Sequence, residues 1–301
     1  MTSGDYNLLV ILGATASGKT RLGVGAARAL NGEIVSADSR QVYRGMDLGT
    51  GKDLEEYSEI PCHLIDVADP GEDFSVFHFQ RQFFTVYEAI RERGKLPVLV
   101  GGTGLYLDAV LRGYRLLEVP ENPALRAELA GLSGPQLAGR LLALKPDQHN
   151  TTDLGDRQRL VRAIEIAAGE QAAADHLPPL PALRPKVFGL RWPRPVLRQR
   201  IARRLRQRLD QGLVAEVAAL HAAGVPWERL DYFGLEYRFV ARYLQGQLNH
   251  NDMTQKLAAA IAGFAKRQET FFRRMERRGV AIHWLAGDDD PRKRLLATLA
   301  P

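Results

Sequence analysis

The chain has 301 residues, 45% hydrophobic and 25% charged, enough to bury a sizeable core in one large domain or two modest ones. The formal net charge is +6, and with Cys62 the single cysteine, an intramolecular disulfide framework and a multi-cysteine zinc site are both excluded. That points to a reducing cytoplasm, where the Asn150-Thr151-Thr152 sequon has no glycosylation meaning, and residues 8–12 are too short to span a bilayer, so neither export nor membrane insertion is expected.

The first element is the apolar run Leu8-Leu9-Val10-Ile11-Leu12, a predicted strand. It leads into Gly13-Ala14-Thr15-Ala16-Ser17-Gly18-Lys19-Thr20 and then a helix-like stretch to Leu30, which is a complete G-x-x-x-x-G-K-T phosphate loop in its required context. The glycines let successive backbone N–H groups converge on phosphate oxygens at a helix N-terminus, Lys19 adds charge, and the Thr20 hydroxyl can ligate Mg2+. A purely structural glycine turn is the bland alternative, and the flanking strand and helix argue against it. The chain therefore binds a phosphorylated small molecule, but the loop alone does not name the reaction.

A second strand over 34–37 runs into Asp38-Ser39-Arg40-Gln41-Val42-Tyr43. That puts a carboxylate at the C-terminal sheet edge, where ligands of open α/β sheets bind, able to accept a proton or hold Mg2+ through water. A helix-capping role for Asp38 is as good a reading of the isolated acid. A third strand over 63–65 ends at Asp66, a weak match to a Walker B aspartate with no acidic pair behind it, which disfavours a motor-type ATPase. His63 and His78 have no neighbours at metal-ligand spacing and read as structural, and nothing distinguishes His149. The fourth strand, 97–100, ends in Gly101-Gly102-Thr103-Gly104-Leu105-Tyr106, where the backbone can approach a ligand closely and Thr103 offers a hydroxyl, or where the chain simply turns.

From 113 to 185 the strand–helix rhythm breaks into Leu/Ala-rich segments with a Pro-rich exit at Leu177-Pro178-Pro179-Leu180-Pro181. We read this stretch as a helical insertion. Within it, Gln158 and Arg162 lie one helical turn apart and could grip one phosphodiester, or simply face solvent. A fifth strand over 187–190 returns to the sheet, and from Arg194 onward the chain is expected to be helical. Leu197, Ile201, Leu205 and Leu209 form one apolar stripe with Arg200, Arg204 and Arg208 beside it, and a long helix around 252–278 is expected to bury Leu257, Ile261, Phe264, Phe271 and Met275. The resulting fold class is α/β: a P-loop NTPase-like parallel sheet core with helices on both faces (1–112 and 186–301) plus an inserted all-helical subdomain (113–185). Seven arginines and no acid between Arg194 and Arg208, and a second basic cluster over 266–278, suggest a polyanionic partner, with a solvated helix face as the alternative.

Taken together, GATASGKT at 13–20, ADSRQVYRGMDLGTGK at 37–52, HLIDVADP at 63–70, GKLPVLVGGTGLY at 94–106 and DRQRLVRAIEI at 156–166 resemble the tRNA dimethylallyltransferase (IPP transferase) family in content, order and spacing. The likeness continues through residues 198–204, Gly212-Leu213-Val214-Ala215-Glu216-Val217 and Ala265-Lys266-Arg267-Gln268. It implies transfer of a five-carbon prenyl group from dimethylallyl diphosphate to the exocyclic N6 amine of the adenosine just 3′ of the anticodon in tRNAs reading codons that start with U, giving i6A. The phosphate loop then holds a diphosphate leaving group. By the same resemblance Asp38 is the base or orienter for the adenine amine, and Thr103 contacts the diphosphate. Lys19, Thr20 with Mg2+, and Arg200 or Arg204 would neutralise the departing charge.

The resemblance also implies tRNA contacts at Asp38, Ser39, Arg40, Gln41 and Thr103, and from the insertion at Arg126, Gln158, Arg159, Leu160, Val161 and Arg162. The adenosine would flip out of the anticodon loop into a channel between sheet domain and insertion. Expected partners are the tRNA anticodon stem-loop and dimethylallyl diphosphate, with Mg2+ as cofactor, no membrane, and a monomeric protein in the cytoplasm. The chain departs from the family pattern at Phe233-Gly234-Leu235-Glu236-Tyr237-Arg238, where most members have a Gly-Tyr-Lys-Glu-like turn, and at Ile261-Ala262-Gly263-Phe264, where Thr-Arg-Gln is usual. These departures bear on which tRNAs are accepted. Three other readings compete: a phosphate-loop small-molecule kinase, prenyl transfer to a free adenine nucleotide, and a nucleotide-gated RNA-binding protein without catalysis. The arginine-rich third opposes the first, the large insertion the second, and the presence of both Asp38 and Thr103 the third.

Overall fold

Strand order decides which loops meet at the sheet edge. In the computed structural model, which describes residues 6–146, 155–173 and 179–300, β1 (Leu8–Gly13), β2 (Gly32–Ala37), β3 (Cys62–His63), β4 (Leu96–Gly101), β5 (Pro185–Arg191) and β6 (Ile282–Ala286) pair in the order β3-β2-β4-β1-β5-β6. All these pairings are parallel. Every residue of β1 is buried, as befits a strand covered on both faces, and such a strand reads as an unbroken apolar run.

In chain order the helices are α1 (Lys19–Leu30), α2 (Val76–Glu92), α3 (Gly104–Leu111), α4 (Pro123–Ala130), α5 (Gly134–Leu144), α6 (Arg157–Ala173), α7 (Arg194–Asp210), α8 (Leu213–Ala222), α9 (Trp227–Tyr232), α10 (Leu235–Leu244), α11 (His250–Arg277) and α12 (Pro291–Leu299). The alternating side chains Leu9, Ile11, Ile34, Val98 and Val100 meet Leu22, Val24 and Ala26 of α1 and Leu295 of α12 on one face of the sheet. Helices α2 and α3 pack against each other on the other face, where α2 lies along β2 and β4. Helices α7 to α11 build a separate apolar cluster around Tyr43, Met46, Leu205, Val217, Phe233, Tyr237 and Leu257, which anchors the segment after β2. No helix among the described residues is long and apolar enough to cross a membrane.

Two compact units result, residues 1–113 with 182–301 and residues 114–181. Residues 182–185 thus go with the sheet, not the insertion, because Asn7 donates through Nδ2 to the Ala182 carbonyl (2.8 Å) and accepts from the Arg184 N–H (2.6 Å). In the helical unit, Leu129, Leu137, Leu141, Leu160, Ile164 and Ala167 of α4, α5 and α6 form one small core. His149 and the Asn150 sequon lie outside the described residues, as does part of the Pro-rich exit.

Three sequence expectations need correction. The third strand is Cys62–His63, not 63–65, because Leu64 (φ 62°) and Asp66 (φ 55°) adopt left-handed conformations that end it. The chain after Arg194 is not wholly helical, since β6 adds a sixth strand beside β5. The buried stripe of α11 is Met253, Leu257, Ile261, Ala265, Gln268, Phe272 and Met275. Phe264 is exposed instead, and Phe271 is only partly covered, lying over Gly104.

Candidate active site

The register brings Ala37 of β2 opposite Gly101 of β4, and Gly101 opposite Leu12 of β1. The segments leaving these three strands therefore emerge side by side, with Thr103 between Asp38 and the phosphate loop. The Thr103 N–H donates to the Ala37 carbonyl (3.2 Å), and Thr103 Oγ1 accepts from the Ser39 N–H (3.0 Å). Asp38 Oδ1 accepts from the Arg40 N–H (2.9 Å), so Asp38 closes a turn of its own loop and caps no helix. A carboxylate has about four acceptor sites, so one such bond is compatible with a further contact to a proton-bearing group.

The phosphate loop is held from behind. Gly18 has φ 92°, a conformation that favours glycine, and Ala16 has φ 59°. The Ala16 carbonyl accepts from Arg200 Nε (2.8 Å) and the Ser17 carbonyl from Trp192 Nε1 (2.8 Å), while the Arg200 guanidinium stacks on Trp192 at 4.3 Å. Carbonyls tied outward leave the loop amides other than those of Thr15 and Ser17, which donate to Gln268 and to the Ala14 carbonyl, to serve an anion nest. On the other flank, Gln268 Oε1 accepts from the Thr15 N–H (2.8 Å), and Gln268 Nε2 donates to the Gly102 carbonyl (2.9 Å). This one buried amide links the loop to the Thr103 turn. Gly102 makes room for it, since a Cβ there would lie 2.5 Å from Gln268 Nε2.

Over the loop lies a cleft of about 420 Å³ lined by Lys19, Thr20, Arg200, Arg203, Arg204 and Arg208 together with Asp53 and Glu56. Burial pushes the Lys19 ammonium down to about 8, with neighbouring Asp38 opposing the shift. Arg204 donates to the Gly51 carbonyl (3.4 Å) and to Asp53. The Arg208 side chain is only 8% exposed, and among the described residues its Nε and Nη2 have no hydrogen-bond partner. Its nearest acid is Glu236 at 3.7 Å, and burial first, then Arg204, holds its guanidinium down to about 10. So concentrated a positive field in a walled cleft suits a polyphosphate anion.

The residues present also fit a divalent cation. Thr20, Asp53 and Glu56 supply oxygens at the cleft, and burial raises Glu56 above its ordinary range. Among the described residues no group of three or more His, Cys, Asp or Glu could hold a metal alone. Mg2+ needs none, because it keeps waters and binds mostly through substrate phosphates and one or two protein oxygens.

The segment after β2 is fastened by groups whose role a sequence does not show. Glu216 accepts from the N–H groups of Asp47 (3.0 Å), Leu48 (2.7 Å) and Gly49 (3.0 Å) and from the Tyr237 hydroxyl (2.7 Å). Lys52, fully buried, donates to the Tyr43 carbonyl (2.8 Å), to Asp47 (2.6 Å) and to Asp66. Asp66 is thus an ion-pair partner, not a Walker B group. Gln41 is likewise a buried strut: its Oε1 accepts from Ser36 Oγ (3.0 Å) and its Nε2 donates to the Gly51 carbonyl (2.9 Å). His63 Nε2 sits 2.7 Å from Glu33 and His78 caps α2 through Ser75, both structural placements.

The insertion residues stand in the helical unit. Arg126 donates to Glu165 through Nε (2.9 Å) and Nη2 (3.0 Å), and Arg162 donates to Glu165 (3.2 Å) and the Val119 carbonyl (2.7 Å). The Leu160 side chain is core (1% exposed), and Val161 packs against the same core. Gln158 and Arg159 are exposed at the start of α6, with Arg159 3.5 Å from Asp156. Sequence reasoning missed Trp192, Arg208 as a lining residue, and Gln268 as a loop strut. Gln268 stood in the family-like segment Ala265-Lys266-Arg267-Gln268 and as a polar residue within an apolar stripe, but neither sign gave it a role.

Comparison with known proteins agrees with this geometry. The family model described as IPP transferase matches residues 41–275. The tRNA dimethylallyltransferase 2 of Syntrophotalea carbinolica is 68% identical over 290 residues, covering 96% of this chain and 97% of that protein. That of Trichlorobacter lovleyi is 62% identical over 289 residues, covering 96% and 95%. The crystal structure of the tRNA isopentenylpyrophosphate transferase of Bacillus halodurans superposes with a TM-score of 0.71 at 34% identity, covering 98% of this chain and 94% of that one. A eukaryotic dimethylallyltransferase solved acting on tRNA shares the fold, with a TM-score of 0.80 at 24% identity over 96% of this chain and 77% of its own. The chain therefore belongs to the IPP transferase family, the tRNA dimethylallyltransferases, and is a prenyltransferase.

Proposed function

We propose that the protein transfers a dimethylallyl group from dimethylallyl diphosphate to the N6 amine of the adenosine 3′-adjacent to the anticodon, in tRNAs reading codons that start with U, giving i6A. The observation that carries the reading is the side-by-side emergence of Asp38, Thr103 and the phosphate loop beneath the arginine cleft. The N6 nitrogen attacks the allylic C1, the C1–O bond breaks, the diphosphate takes the bonding pair, and Asp38 accepts the N6 proton. The loop amides and Lys19 hold the diphosphate, with Thr103 beside it. Arg204 neutralises the departing charge, whereas Arg200, bound to the Ala16 carbonyl, keeps the loop in shape. Mg2+, held by Thr20 and the diphosphate oxygens, would supply Lewis-acid charge to the leaving group.

Ser39 and Arg40 beside Asp38, and Gln158 and Arg159 on α6, are the proposed RNA contacts, with Arg126 and Arg162 orienting α6 through Glu165. The protein acts as a monomer in the cytoplasm on this reading. The test is an acceptor panel assayed for diphosphate release: unmodified tRNA, free AMP, and metabolites offered with ATP. Release with dimethylallyl diphosphate and tRNA alone is expected. Release with AMP, or ADP formation from ATP, would move the assignment to nucleotide prenylation or to a kinase.

A further inference from the structure

Tyr232, the last residue of α9, exposes half of its surface although it stands among buried aromatics. The guanidiniums of Arg40 and Arg229 both lie over its ring, 4.8 Å and 5.0 Å from the centroid. Arg229 is itself fixed, donating to the Pro70 carbonyl (2.9 Å), to Asp73 (2.8 Å) and to the Glu72 carbonyl. Behind the exposed ring, Phe233 packs edge-on against Tyr43 (4.8 Å) and Tyr237 (6.3 Å), so the support is rigid. The position is close to the chemistry, because Arg40 also donates its backbone N–H to Asp38. Tyr106, whose hydroxyl burial pushes upward, lies near enough to Asp38, Arg40 and Tyr232 to feel all three.

An isolated exposed tyrosine needs no explanation. Here a half-exposed ring on a rigid aromatic support carries two guanidiniums over it, one of them two residues from the reacting carboxylate. Aromatic rings and the guanidinium planes over them both offer a surface on which any base can stack, and a guanidinium can also meet an adjoining phosphate, which is how single-stranded nucleic acid is held. We propose that Tyr232, with the Arg40 guanidinium over its ring, is a stacking platform for an unpaired base of the RNA loop that carries the acceptor adenosine, Arg40 also meeting a flanking phosphate and Arg229 holding the ring in place. The inference rests on the tRNA-prenylating reading above. It assigns a recognition role to a residue next to the segment that departs from the usual family turn.

The test compares Tyr232→Ala, Tyr232→Leu and Tyr232→Phe for affinity to an unmodified anticodon stem-loop and for KM of dimethylallyl diphosphate. Loss of one base stack should weaken RNA binding by about fivefold to 150-fold in Tyr232→Ala. Tyr232→Leu, which still covers Phe233 but has no aromatic face, should lose as much, and this variant carries the test if the alanine lowers Tm. Tyr232→Phe should recover the affinity, and the donor KM should not follow the RNA affinity. RNA affinity within about twofold of wild type in both Ala and Leu variants would overturn the proposal. So would a Phe variant as weak as Ala, since the hydroxyl and not the ring would then be the contact. Failure of the wild-type protein to prenylate tRNA would instead remove the reading on which the platform rests, and the platform with it.

Discussion

The two units of this protein use arginine in opposite ways. In the helical unit Arg126 and Arg162 converge on Glu165, and Arg157 donates to the carbonyls of Leu129 (2.9 Å) and Ala130 (2.6 Å) at the end of α4. These cations hold the unit's interior together. In the sheet unit Arg200, Arg203, Arg204 and Arg208 line the cleft above the phosphate loop with Lys19, and the buried nitrogens of Arg208 have no partner among the described residues. A count of basic residues along the chain does not separate these cases. What sets Arg208 apart is that its buried Nε and Nη2 meet no acceptor among the described residues, while Arg200 and Arg204 are each held by a loop carbonyl and still line the cleft.

The contrast can be broken first at the reacting carboxylate. Asp38→Ala should lower transfer by about 10²- to 10⁴-fold while leaving stem-loop binding in place, measured by single-turnover assay and filter binding. Equal activity would take Asp38 out of the mechanism. Next, Arg204→Ala should lower kcat by about 10²- to 10³-fold, whereas Arg200→Ala should act mainly on the donor KM, because its Nε is bound to the loop. If the two variants behave alike, the division of labour between them is wrong. Affinity for a non-reactive diphosphate donor should be flat below the Lys19 value of about 8 and fall above it, because only the protonated ammonium attracts the anion. The expected slope is about tenfold per pH unit, and Lys19→Met should abolish it.

Much of this was legible in the sequence, and the rest was missing for physical reasons. The phosphate loop, Asp38 and Thr103 are local patterns of three to eight residues whose conformation is fixed by glycines and by the strand before them. Parallel pairing then gathers them at one edge without any special side chain. Gln268 and Trp192 reach the loop across 253 and 175 residues of chain, and no local pattern encodes such a contact. β6 was hidden because its five residues follow directly on a long helix and lie at the sheet edge, half exposed. Gln41 sits within a motif that resembles a tRNA contact, yet its amide is turned inward by Ser36 and Gly51.

Smaller effects sharpen the helical side of the comparison. Burial pushes the Glu165 carboxyl up, but the hydrogen bonds from Arg126, the Asn122 N–H and Arg162 more than reverse this, leaving it below the ordinary range. A group so depressed contributes stability above its unfolded pKa that is lost as pH falls through the carboxylate range. Glu165→Gln should therefore cost the helical unit about 1–3 kcal/mol at neutral pH, read by hydrogen exchange in α4–α6, and should flatten its acid sensitivity. Unchanged exchange would show that the arginine pair is ornamental. Arg159→Ala, at the exposed start of α6, should reduce the salt slope of tRNA binding by about one unit, and an unmoved slope would return it to plain surface.

The most direct test of the central claim is nucleoside mass spectrometry of unmodified tRNA incubated with the purified protein, Mg2+ and dimethylallyl diphosphate. N6-prenylated adenosine is expected at the position 3′ of the anticodon, formed by wild type and absent with Asp38→Ala. Unmodified adenosine throughout, or the same product from Asp38→Ala at the wild-type rate, would contradict the claim.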